Sequence, residues 1–144
     1  MSAAPAPFPK PAAADVVLCR FPTDLVRPAP GIKDRPAIIL KVLDPAPGDA
    51  SQAFRVVVCY GTSNRARLYP HEFEITRHDH PDEYARAGLS SDTKFSLRQL
   101  VTLPYTDEWF ALPRHPLFGQ TPKLGELHPQ SMPRLTTAYR HSGR

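Results

Sequence analysis

Eighteen of the 144 residues are proline, against an average usage of about 5%. Proline inside a helix removes a backbone hydrogen bond and clashes with the preceding turn. A chain punctuated this often has little room for long helices and ample room for short strands joined by loops. The apolar residues fall into such runs. DVVLCRF, residues 15–21, puts Val17, Cys19 and Phe21 on one face and Val16, Leu18 and Arg20 on the other. RPAIILKVLD, residues 35–44, is apolar through its middle, as a central strand is. FRVVVCY, residues 54–60, reads as a third strand. HEFEIT, residues 71–76, alternates, with Phe73 and Ile75 inward and Glu72, Glu74 and Thr76 outward. TKFSLRQLVTLP, residues 93–104, is a fifth strand, with Phe95, Leu97, Val101 and Leu103 on one face and Ser96, Arg98 and Thr102 on the other.

Residues 22–34 form a loop and residues 45–52 a turn region, both rich in proline and glycine. HPDEYARAG, residues 80–88, predicts a short helical turn stopped by its glycine. One helix is expected from about Ser131 to His141, with Ser131 as its cap, Pro133 in its first turn, and Met132, Leu135 and Tyr139 as its apolar stripe. No strand–helix–strand alternation occurs, which argues against a parallel doubly wound sheet. The expected fold is mainly β (α+β): a small, strongly curved antiparallel sheet or partial barrel with a C-terminal helix packed on it.

The length suits one domain. Residues 1–13 read as a disordered Pro/Ala leader and residues 14–141 as the domain. The leader has no apolar core of the kind a secretory signal needs, and no apolar run approaches about 18 residues. The expectation is therefore no membrane partner and a cytoplasmic location. Cys19 and Cys59 lie in apolar strand runs and are expected to be buried free thiols.

The formal net charge is +4, a modest basic excess that suits a polyanionic partner. Polar and basic groups gather at strand edges. Lys33, Asp34 and Arg35 stand where the long loop enters the second strand, and Thr62, Ser63, Asn64, Arg65 and Arg67 where the third strand ends. In an antiparallel pair these two places share one edge, which brings Arg35 near Thr62 and Ser63. A guanidinium beside hydroxyls and a glycine-turn N–H makes a phosphate clamp. Each piece also has a structural reading: Arg35 paired with Asp34, Thr62 and Ser63 closing a turn, Arg65 and Arg67 on a solvated face. Tyr105, Trp109, Phe110 and Phe118 read either as base-stacking rings or as a satellite core. His78-Asp79-His80 lacks a completing ligand at metal-site spacing, so no metal and no cofactor is expected. Phosphate-loop, serine-hydrolase, zinc-protease and paired-carboxylate patterns are all missing from the sequence.

The order of these segments resembles the PemK/MazF toxin family. DVVLCRF, then RPAIIL, then a strand ending YGTS, then SLRQLVTLP, then LGEL before a terminal helix follow that family's sequence of motifs across roughly residues 14–140. The resemblance implies an SH3-like barrel, usually a homodimer, held in check by a small antitoxin. It implies a metal-independent endoribonuclease that cuts single-stranded RNA by attack of the RNA's own 2′-OH. It carries over Arg35 and Thr62 or Ser63 as catalytic groups. Lys33, Arg65, Arg67, Arg98 and Gln99 are the expected RNA contacts. Four positions depart from the family pattern: Ala14 stands for the leading glycine, Asp34 is the only acid in PAPGIKD, Arg98 stands where an acid precedes Gln99, and Val101 stands where a basic residue follows it. Either Asp34 or a histidine such as His71 then replaces the missing carboxylate, or the chain is a catalytically inactive RNA- or protein-binding module on the same fold. A purely structural domain built on the aromatic segment is the remaining alternative.

Overall fold

A computed structural model describes residues 5–24, 26 and 28–143. It contains strands β1 (Asp15–Cys19), β2 (Arg35–Leu43), β3 (Arg55–Thr62), β4 (Glu72–Ile75), β5 (Thr93–Pro104) and β6 (Lys123–Glu126). Helix α1 spans Pro81–Arg86 and α2 spans Met132–Arg140. All six strands join one sheet in the order β4-β5-β3-β2-β1-β6, and each pairing is antiparallel. This is the mainly β architecture with a C-terminal helix that the sequence predicts. Among the described residues the sheet has six strands rather than the five predicted. Among the described residues no helix is long and apolar enough to cross a membrane.

Alternation along the central strands gives the sheet a core on each face. Val16, Ile38 and Cys59 face one side, where they meet Phe73, Ile75, Phe95 and Leu97 under Leu135 and Ala138 of α2. Val17, Ala37, Ile39 and Val58 face the other, with Leu103 and a lid of Tyr105, Trp109 and Phe110. The aromatic segment is thus core: Tyr105, Trp109 and Phe110 are buried, and only Phe118 remains exposed. The outer edge of β1 is shared. β6 pairs with its first half, while Arg20 N–H and Ala111 N–H exchange bonds with Trp109 and Leu18 carbonyls beyond it.

Five sequence expectations need correction. β5 does not keep one face, because its register against β3 jumps from Cys59–Leu100 to Tyr60–Ser96. The residues between bulge out, so Phe95 and Leu97 enter the first core while Val101 and Leu103 enter the second. The packed face of α2 is Leu135 and Ala138, whereas Met132 and Tyr139 are 41% and 43% exposed. Ser131 is helical and makes no cap; its hydroxyl serves Glu83 instead. The leader is seated for part of its length. Ala6 and Asp107 bond each other, Phe8 N–H donates to the Tyr105 carbonyl, and the Phe8 ring meets Tyr105 edge-on. Residues 1–4 of that leader, and Leu25 and Arg27 of the predicted loop, lie outside the described residues. Thr76, expected outward, is buried and accepts the Asp79 N–H.

The helix α1 ends as predicted at a glycine: Gly88 has φ +69°, a left-handed conformation that a side chain resists. Its buried Glu83 ties the helices together. The Glu83 carboxylate accepts from the Ser131 hydroxyl at 2.5 Å and from Arg134 Nη1 at 2.8 Å, while Arg134 Nη2 donates to the Glu74 carbonyl. Burial pushes the Glu83 carboxyl up, but the Ser131 hydroxyl and Arg134 guanidinium outweigh it and hold it below its usual 4.5. A depressed carboxyl stabilises the fold above its unfolded value, and that stabilisation disappears as pH falls through the lowered one. Chemical denaturation as a function of pH should show wild type losing stability below about pH 4.5, with a shallower acid slope in Glu83→Gln. At neutral pH the substitution should cost about 1–3 kcal/mol. Equal acid slopes would exclude this network as the source.

Cys19 and Cys59 are fully buried free thiols in the two different cores. Burial pushes Cys59 up to about 12 and also raises Cys19, with Asp34 adding to the latter. The thiolate is the reactive form. A disulfide-exchange reagent should therefore label neither thiol in the native protein and both after denaturation; rapid native labelling would contradict this packing.

Candidate functional site

β2 begins with Arg35 and β3 ends with Thr62. Their register pairs Ala37 with Tyr60, which puts Arg35 and Thr62 across from each other at the sheet edge. Arg35 Nη1 donates to Thr62 Oγ1 at 3.5 Å, a long hydrogen bond. The guanidinium carbon also stands 5.7 Å from the centre of the Tyr60 ring, which helps orient the charge. Thr62 Oγ1 accepts the Asn64 N–H at 3.1 Å as well. The turn-closing and arginine-pairing roles therefore coexist, and the hydroxyl proton is left to donate elsewhere. The apolar pattern of the third strand ends at Tyr60, but β3 runs on through Gly61 to Thr62.

Gly61 makes this meeting possible. A Cβ there would overlap the Pro36 carbonyl oxygen and come within 2.7 Å of the Phe95 ring. Only a residue without a side chain lets the two strands close while Phe95 fills the core beneath.

Three clefts meet at the pair. The first, about 640 Å³, is lined by Thr62, Tyr60, Arg67, Tyr69, His71, Lys94, Arg98 and Gln99. The second, about 460 Å³, holds Lys33, Arg35, Tyr60 and Gln99 beside Phe21. The third, about 510 Å³, holds Asp34, Arg35, Thr62 and Ser63 with Ser90, Ser91, Arg114 and His115. Thr62 is common to the first and third, and Arg35 to the second and third. An anion seated between them would meet a guanidinium and a hydroxyl donor, a charge-assisted arrangement suited to a phosphate oxygen.

The structure thus gathers Lys33, Arg35, Thr62, Ser63, Arg67, Arg98 and Gln99 around one place. It does not bring Arg65 there. Arg65 bonds Glu74 at 2.8 Å and Asp92 at 3.3 Å, and lines none of the three clefts. Arg98 and Gln99 reach the first cleft because they ride the β5 bulge. Asp34 pairs with Arg20 Nε at 3.5 Å and faces the third cleft, while His71 faces the first. Arg114 and His115 escaped the sequence reading, since they lie in the Pro-rich stretch treated as part of the aromatic segment. Tyr69 was also missed, and nothing in LYPHEF marks it beyond its being aromatic. Among the described residues no group of three or more His, Cys, Asp or Glu is arranged to hold a metal ion. His78 pairs only with its neighbour Asp79, at 3.0 Å on the surface.

Among solved structures, this antiparallel sheet with its C-terminal helix is similar in fold to endoribonuclease toxins. One is an endoribonuclease in complex with its cognate antitoxin from a mycobacterial species: TM-score 0.56, 20% identity, covering 92% of this chain and 94% of that one. Another is an endoribonuclease from a mycobacterial species, at 0.53 and 21%, covering 92% and 89%. A third is the Mycobacterium tuberculosis toxin MazF-mt6, at 0.55 and 16%, covering 90% and 95%. No family model and no curated protein sequence matches the chain. The likeness is therefore one of fold, and it agrees with the sequence resemblance.

Replacing Gly61 by alanine should force β2 and β3 apart beside the pair. Overpacking of this kind costs about 1–3 kcal/mol. A melting temperature for Gly61→Ala equal to wild type would show that the close approach is not required.

Proposed function

We propose that the chain is a PemK/MazF-type toxin, a metal-independent endoribonuclease that cuts single-stranded RNA. The observation that carries this reading is the Arg35–Thr62 contact at the junction of three clefts. It is supported by the shared fold with endoribonuclease toxins, one of them solved with its antitoxin. In the proposed reaction the RNA 2′-oxygen attacks the adjacent phosphorus and the 5′-oxygen leaves. The products are a 2′,3′-cyclic phosphate and a 5′-hydroxyl. Arg35 neutralises the charge that builds on the non-bridging oxygens, and the Thr62 hydroxyl, with Ser63 beside it, donates a further hydrogen bond. One group must remove the 2′-proton and another must protonate the leaving oxygen. Asp34 and His71 line two different clefts that both include Thr62, and they fill these roles. Lys33, Arg67, Arg98 and Gln99 contact flanking nucleotides. By the same reading the chain works as a homodimer in the cytoplasm and is restrained by a cognate antitoxin.

Incubation of the purified chain with a long single-stranded RNA in EDTA, followed by end-group analysis, tests the proposal. Discrete fragments with cyclic-phosphate ends are expected. Arg35→Ala should cut about 100-fold or more slowly, as loss of one oxyanion donor does. No cleavage by wild type, or equal cleavage by Arg35→Ala, would overturn it. Salt-sensitive RNA binding without cleavage would favour the binding module instead.

A further inference from the structure

We infer that Tyr69, backed by His71, is a stacking platform for one unpaired nucleobase beside the Arg35–Thr62 pair. The inference deepens the RNA-cleaving reading by assigning a base subsite to the same site. Tyr69 is 46% exposed and belongs to neither core, yet it lies in a turn that is firmly held. The Tyr69 N–H donates to Glu72 Oε1 at 2.9 Å, the Glu72 N–H donates to the Tyr69 carbonyl at 2.9 Å, and the His71 carbonyl accepts the Leu97 N–H at 2.9 Å. Backbone and carboxylate bonds thus fix the turn, so the exposed ring is not needed to close it.

The two rings lie 9° from parallel with centroids 5.6 Å apart, and both line the cleft that contains Thr62. A flat, pre-oriented pair of rings is what an extruded base stacks on. Stacking uses the face of the base, so it takes any unpaired nucleotide and cannot take one held inside a duplex. Charge surrounds the platform. Lys94 Nζ sits 5.9 Å from the Tyr69 ring centre, and Arg67 Nη1 approaches the Tyr69 hydroxyl at 3.4 Å. Lys94 is itself held by Glu72 Oε1 at 3.1 Å and the Arg67 carbonyl at 2.7 Å. With Lys94 Nζ over the ring and the Arg67 guanidinium at its hydroxyl, the platform suits a base whose own backbone phosphate lies alongside.

Binding of a single-stranded 2′-O-methyl oligonucleotide, which lacks the attacking hydroxyl, reads the platform separately from cleavage. Full-length Tyr69→Ala should bind about 5- to 150-fold more weakly than wild type, the range that base–aromatic stacking gives. Tyr69→Phe, which keeps the ring, should bind within about threefold. Tyr69→Leu, which keeps apolar bulk without a π-face, should follow alanine. An abasic site moved along the oligonucleotide should weaken wild-type binding at one position and cost Tyr69→Ala nothing there. Unchanged binding by Tyr69→Ala, or an abasic penalty equal in both proteins, overturns the platform while leaving the cleavage reading intact. Tyr69-dependent binding by a chain that cuts no RNA keeps the platform and overturns the ribonuclease. No oligonucleotide binding at all overturns both.

Discussion

The β2 and β3 backbones close at Gly61 with no space for a side chain, and the rest of the site depends on that closure. The Pro36 carbonyl and the Phe95 ring occupy the room a Cβ would need. With the strands that close, Arg35 and Thr62 meet across the edge, and Tyr60 lies under the guanidinium. Phe95 simultaneously anchors the first core. A single residue without a side chain therefore couples the packing of the interior to the spacing of two polar groups at the surface. Among the described residues no carboxylate pairs with the Arg35 guanidinium, and the Thr62 hydroxyl keeps its proton to donate, so both groups remain usable by a ligand.

A second constraint acts from the other side of β3. The consecutive residues Cys59 and Tyr60 stand opposite Leu100 and Ser96, so the three β5 residues between those two bulge out of the ladder. That bulge lets one twelve-residue strand feed both cores. It also lifts Arg98 and Gln99 into the first cleft and leaves the Leu97 N–H to hold the His71 carbonyl. Bulges near functional sites commonly re-aim side chains in this way. Here the bulge supports the floor of the cleft and its aromatic wall together.

Much of the fold was legible because alternation is a local property. Strands β1 to β5, the glycine stop after α1 and the terminal helix all follow from residues within a few positions of one another. The Arg35–Thr62 juxtaposition was legible too, since antiparallel pairing fixes which strand ends share an edge. What escaped depends on distant partners. KLGE of β6 carries almost no apolar signal and is a strand because the β1 edge is open to it. The double role of β5 requires the register of β3, which its own sequence does not encode. Met132 and Tyr139 fit the helical stripe as well as Leu135 does, and only the position of the sheet selects Leu135 with Ala138. Arg65 reads like Arg67 in sequence, yet Glu74 and Asp92 claim one and not the other. The family resemblance added the chemistry that spacing alone left open between a turn and a phosphate clamp.

On the proposed function, the Arg35–Thr62 edge receives a phosphate of single-stranded RNA. The most direct measurement is NMR titration of the chain with a 2′-O-methyl RNA oligonucleotide. The largest shifts are expected at the Gly61, Thr62, Ser63 and Asn64 amides and at the Arg35 guanidinium, fading as salt is raised because phosphate contacts release counterions. Shifts confined to the α2 face or to the 105–118 segment, with the Arg35 and Thr62 signals unmoved, would contradict it.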